Sequence, residues 1–190
     1  GDPKFLIHPV QIIGLYINKT TNFFINNFKC SSNILFLGSL YIALSTIFIS
    51  YFIGKFIEII YFKSEFNIFC GIFILIGLSS CFATKSLLSS VKEISKLMQN
   101  QFTYKKQKQI IIEKVQRIVS RDVRKASFEN LLRATIESLT ENSVDGIFAP
   151  LFWMFIGVYL WEFSPTLPGP LAMALCFKAS STLDSMIGYK

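Results

Sequence analysis

The sequence predicts an all-α fold: a polytopic helical integral membrane protein with a cytoplasmic helical segment between its spans. Three observations predict it. Of the 190 residues, 52% are hydrophobic and only 16% charged, with a mean hydropathy of +0.47, a balance that soluble domains rarely carry. Two segments, 30–54 and 66–84, hold no charge at all, and a bilayer crossing needs about 20 apolar residues. The polar remainder keeps a helical rather than an alternating apolar pattern, and no strand signature, internal repeat or low-complexity tract interrupts it.

Residues 1–29 combine Gly1-Asp2-Pro3 and His8-Pro9-Val10 with an amphipathic run. Ile12, Ile13, Tyr16, Ile17, Phe23 and Phe24 fit a helix lying on the membrane or packed on the core. His8 is the lone histidine, in the usual position of a structural hydrogen-bonder. The first span is expected at 30–54, then a short mixed-charge connection from Lys55 to Glu65. A second span comes at 66–84, where Gly71 and Gly77 permit close helix contact.

Residues 85–145 form the long polar stretch, with helices separated by a polar, lysine-containing turn region at 99–109. Ser127 is the expected N-cap of the helix running to Glu141. This stretch carries twelve Lys and Arg against seven Asp and Glu. The positive-inside tendency therefore places it, with residues 1–29, in the cytoplasm. Residues 146–177 hold two short apolar pieces around the breaker cluster Ser164-Pro165-Thr166-Leu167-Pro168-Gly169-Pro170. They suit a re-entrant hairpin, or one full helix. Residues 178–190 form a final polar and apolar segment.

The formal net charge is +7. In a membrane protein a basic excess reports loop orientation, and no aromatic-interleaved basic patch of a nucleic-acid module is present. Cys30, Cys70, Cys81 and Cys176 lie in or beside apolar runs without metal spacing, as small hydrophobes do. The chain begins Gly-Asp-Pro and stops at Lys190, so we expect a piece of a longer protein.

Four polar clusters are candidates for chemistry: Gly1-Asp2-Pro3 with His8-Pro9; Arg121-Asp122, with Arg117 and Arg124 close by; Glu137, Glu141, Asn142 and Asp145; and Lys178 with Asp184, Ser185 and Lys190. Arg133, Glu137, Glu141 and Asp145 are spaced four apart, hence along one helix face. Aligned carboxylates repel one another unless a cation neutralises them or water solvates them. Spacing alone leaves open a Mg²⁺ or phosphate-handling cluster and a solvated face ahead of a membrane helix. Carboxylate and amide oxygens suit hard cations, and Arg and Lys suit phosphates. Walker, kinase-type glycine and Gly-x-Ser-x-Gly loops are all missing. Asp184, beside apolar sequence, is a costly and therefore informative acid.

The order and spacing of four motifs resemble the CobD/CbiB family of cobalamin-biosynthesis proteins across essentially the whole chain. They are Gly1-Asp2-Pro3 with His8-Pro9-Val10; Val119-Ser120-Arg121-Asp122; Glu137-Ser138-Leu139-x-Glu141-Asn142-x-x-Asp145-Gly146-x-x-Ala149-Pro150-Leu151-Phe152-Trp153; and Lys178-Ala179-x-x-Thr182-Leu183-Asp184-Ser185-Met186-Ile187-Gly188-Tyr189-Lys190. The last two are long and specific.

The resemblance implies an inner- or plasma-membrane adenosylcobinamide-phosphate synthase, multi-pass, with its active face cytoplasmic. Such an enzyme joins adenosylcobyric acid to aminopropanol phosphate as an amide, driven by MgATP. Its expected partners are the corrinoid, the aminopropanol phosphate and the lipid bilayer, with a homo-oligomer left open and no nucleic acid. On that basis Glu137, Glu141, Asn142 and Asp145 are assigned to Mg²⁺, and Arg121, Lys178 and Lys190 to phosphate or carboxylate charge on ATP and the corrinoid. Asp122 and Asp184 are assigned as further metal or base positions. Family members continue past Gly188-Tyr189-Lys190, so activity is expected of the longer protein. The alternatives are an AmpE-like membrane sensor or accessory protein and a small cation-coupled transporter.

Overall fold

A computed structural model describes residues 9–27, 32–63, 67–98, 101–119 and 121–187. Those residues are helical apart from short connections: α1 (Pro9–Asn27), α2 (Ser32–Lys63), α3 (Asn67–Ser80), α4 (Thr84–Met98), α5 (Gln101–Gln116), α6 (Phe128–Ser143), a π turn (Val144–Phe148), α7 (Ala149–Phe163) and α8 (Pro170–Ile187). They divide into two compact units, residues 1–82 with 149–190, and residues 83–148.

In the first unit α8 is the central helix, packed against α1, α2, α3 and α7. Leu171, Ala172, Ala174, Leu175, Ala179 and Leu183 on α8 are buried. Leu171, Ala174 and Leu175 meet Ile74 and Cys81, while Leu183 meets Ile17 and Ile42. Helix α1 is thus packed on the core, and the Tyr16 hydroxyl donates to Ser45 Oγ at 2.9 Å. The outward sides carry Phe36, Phe48, Phe56, Ile68, Phe73, Phe155 and Tyr159, all more than half exposed. Water does not accommodate apolar surface of that extent, whereas lipid does.

Two helical runs, Asn33–Lys63 and Phe128–Phe163, are long and apolar enough to cross a membrane. The 32 residues of α2 rise about 48 Å at 1.5 Å each, beyond the roughly 30 Å hydrocarbon core. Helix α2 also corrects the expected connection at Lys55–Glu65. The helix runs unbroken to Lys63, because Lys55 and Glu58, at 7% and 0% exposure, find polar partners inside the fold instead of ending it.

Those partners sit at the α7–α8 connection. Gly169, Pro170, Leu171 and Ala172 open α8. The Glu58 carboxylate accepts the N–H groups of Gly169 at 2.9 Å, Leu171 at 2.8 Å and Ala172 at 3.0 Å. Pro170 has no N–H, so one side chain takes up the amides that a helix start leaves orphaned. One turn earlier, Lys55 Nζ donates to Pro165 O at 2.9 Å and to Leu167 O. Backbone contact is close on both sides. A Cβ on Gly54 would stand 2.5 Å from Ala172 Cα, and one on Gly157 would stand 2.5 Å from Pro170 N.

The second unit packs α4, α5 and α6 around Ile94, Ile111, Val115, Val119, Val123, Leu131 and Ala134. Helix α5 starts at Gln101, which corrects the turn region expected at 99–109. Gln and Lys are good helix formers, so a polar composition does not require a loop. The helical run Phe128–Phe163 likewise exceeds the short apolar piece expected from Gly146, because α6 continues through the π turn into α7 without a break.

Candidate functional site

Helix α6 begins as its sequence predicts. Ser127 is the N-cap, its hydroxyl accepting the Asn130 N–H at 3.3 Å, and Glu129 occupies the first turn, where a carboxylate complements the helix dipole. Leu131, Ala134, Thr135 and Ser138 turn inward. Their i, i+3, i+4, i+7 spacing leaves Arg133, Glu137 and Glu141 on the exposed side. Asp145 then falls in the π turn, where an extra residue in the ladder rotates the next side chains out of the straight i, i+4 row. The Gly146 carbonyl there accepts the Ala83 N–H at 3.0 Å, tying the π turn to the start of α4.

The loop between α5 and α6 is braced against this helix. Gln116 Nε2 donates to Arg121 O at 3.0 Å, and its Oε1 accepts the Val123 N–H at 3.1 Å. The Ser138 hydroxyl donates to Ile118 O. Asp122 Oδ1 accepts the Arg124 N–H at 3.0 Å, a local turn, and lies 3.7 Å from Arg124 Nε. So held, Arg121 forms an ion pair with Glu137, the two side chains 56% and 64% exposed. A pair that wet adds little to stability, about 0–1 kcal/mol. Sequence reasoning missed Gln116, and it quoted Ser138 in the third motif without a role, since bonds between distant residues leave no local pattern.

Among the predicted residues, the structure brings Arg121 to Glu137 and Asp122 to Arg124. Asn142 Nδ2 donates to Ser138 O at 2.8 Å. Its amide oxygen, like the exposed carboxylates of Glu141 and Asp145, meets no partner among the described residues. Lys178 and Asp184 lie on α8 in the first unit, Lys178 half-buried and near the Cys81 thiol, Asp184 exposed. Lys190, Gly1-Asp2-Pro3 and His8 lie outside the described residues.

Among the described residues, no three His, Cys, Asp or Glu side chains converge as a metal cage. Mg²⁺, however, is commonly held by one or two carboxylates, with substrate phosphates and water completing its shell. Glu141 and Asn142 carry oxygens of that kind, but as neighbours on a helix they do not face one another, so Glu141 is the donor that the exposed side of α6 offers.

The architecture and this polar face define a helical protein with membrane-type apolar surface and a separate polar, charge-bearing helical unit. The chain belongs to the CobD/CbiB family: the family model described as CobD/Cbib protein matches residues 1–190. It is 35% identical over 192 residues to the cobalamin biosynthesis protein CobD of Synechocystis sp., covering 100% of this chain and 52% of that protein. A 50-residue stretch, 26% of this chain and 12% of each relative, is 52% identical to CobD of Pelobacter propionicus and 54% identical to CbiB of Salmonella typhimurium. The chain thus spans about half the length of the Synechocystis relative. No solved structure matches it.

Proposed function

We propose that this chain is part of an adenosylcobinamide-phosphate synthase of cobalamin biosynthesis, a membrane ligase that couples ATP cleavage to amide formation. The observation that carries the proposal is the exposed face of α6. Within a chain of this family, it presents the Arg121–Glu137 pair and, one turn on, the Glu141 carboxylate, with further acceptor oxygens on Asn142 and Asp145 in the same segment that no described group uses.

In the proposed reaction a corrinoid carboxylate oxygen attacks the γ-phosphorus of ATP and ADP leaves. The amine of aminopropanol phosphate then attacks the acyl carbon, expelling inorganic phosphate. Bound Mg²⁺ supplies neutralisation of the phosphoryl oxygens. Glu141 would hold the ion, with Glu137, Asn142 and Asp145 as further oxygens of the same segment. Arg121 balances negative charge on the phosphoryl group, and Glu137 orients its guanidinium. Asp122 receives the proton that the amine loses. The reaction is assigned to the cytoplasmic side, in keeping with the basic excess of residues 85–145.

The test is the full-length protein in liposomes with adenosylcobyric acid, aminopropanol phosphate and MgATP. Mass spectrometry should show the amide product, and ¹⁸O from a labelled corrinoid carboxylate should appear in the released phosphate. No product from well-folded protein overturns the ligase, while product without ¹⁸O transfer overturns the acyl-phosphate step.

A further inference from the structure

The second unit carries a groove of about 700 Å³ lined by Lys108, Gln109, Ile112, Glu113, Gln116, Arg117 and Arg124. We propose that it binds a phosphate-bearing anion through Lys108, Arg117 and Arg124, cations that the proposed reaction does not use. Three cations line it against one acid, an imbalance that favours a ligand of more than one negative charge. Lys108 and Arg117 belong to no ion pair among the described residues, whereas Lys114 on the same helix is committed to Glu93. The Arg124 guanidinium has only Asp122, at 3.7 Å, beyond a normal hydrogen bond.

The loop beside the groove is also set in advance. Gln116 bonds to Arg121 O and the Val123 N–H, and Asp122 fixes the Arg124 N–H, so the middle of the loop beside the groove is fastened. A loop backbone held before the ligand arrives loses less entropy on binding. Two guanidinium forks match phosphate oxygens in pairs, and Lys108 adds a point charge. Half-buried Ile112 offers an apolar floor to the organic part of a phosphate ester. A soluble phosphate ester and a phospholipid headgroup share this chemistry.

The experiment uses full-length protein in nanodiscs of zwitterionic lipid, with inorganic pyrophosphate as the probe in titration calorimetry. Wild type should bind. Arg117→Gln with Arg124→Gln should weaken binding about tenfold or more, or 1.4 kcal/mol per tenfold. Arg133→Gln removes one charge from the same unit outside the groove and should bind as wild type. If circular dichroism shows the double variant unfolded, Arg117→Gln alone replaces it, with a smaller loss in the same direction expected. Adding phosphatidylglycerol to the discs distinguishes the sources: competition with pyrophosphate in wild type identifies a headgroup, and unchanged affinity a soluble phosphate. The proposal is overturned if wild type does not bind, if the groove variant binds equally well, or if Arg133→Gln loses as much.

Discussion

The Glu58 carboxylate accepts the backbone N–H of Leu171 at 2.8 Å across 113 positions of sequence, joining the C-terminal part of α2 to the first turn of α8. The same carboxylate holds Gly169 and Ala172. Glu58→Ala would leave three donors buried without partners and Lys55 without its neighbouring carboxylate. Removing one member of a buried charged set costs about 3–5 kcal/mol. We expect a lower Tm in detergent, or loss of folded protein, measured by thermal unfolding. An unchanged Tm would show that water replaces the carboxylate.

Gly54 tests the same junction without touching charge. Its missing side chain lets α2 approach Ala172, so Gly54→Ala must push backbone away from backbone. We expect destabilisation of about 1–3 kcal/mol, the usual range for overpacking. Equal or greater stability would mean that α2 and α8 stand farther apart than described.

Arg121 and Glu137 separate stability from function. Because both are exposed, Arg121→Gln should shift stability by no more than about 1 kcal/mol. Ligation by the full-length protein should nevertheless fall at least about tenfold, since an interaction formed at the phosphoryl group is worth more than a solvated ion pair. Parallel unfolding and rate measurements decide this, and an unimpaired rate would remove Arg121 from the site.

Gln116 makes a different prediction. Its two bonds hold Arg121 and Val123, each worth about 0.5–1.5 kcal/mol. Gln116→Ala should accelerate hydrogen exchange at the Val123 amide and leave the α8 amides unchanged. Exchange at Val123 equal to wild type would show that packing alone orders the loop.

Much of this was legible in the sequence. The uncharged runs announced the apolar helices, and Ser127 announced the start of α6. The row of Arg133, Glu137 and Glu141 came from a period that the buried Leu131, Ala134, Thr135 and Ser138 keep on the other side. Elsewhere the same rules misled. Lys55 and Glu58 read as a break between helices because charge in an apolar run suggests solvent. Their spacing of one turn within an otherwise uncharged segment is also the mark of ionisable residues with internal partners, and those partners lie over a hundred positions away. The π turn that displaces Asp145 gives no signal in composition. Gln116 and Ser138 are ordinary polar residues until the fold sets them against Arg121 and Ile118.

The most direct test of the central claim compares wild-type and Glu141→Gln full-length protein over a series of Mg²⁺ concentrations, tracking ligation product by mass spectrometry. Gln keeps the size of the side chain and removes its charge, so the fold should survive. The account predicts a rate at least about a hundredfold lower at limiting Mg²⁺, partly recovered as Mg²⁺ rises, because removing an electrostatic group at a reacting phosphoryl centre costs about that much. Identical Mg²⁺ profiles for the two proteins would contradict it and take the metal away from the α6 face.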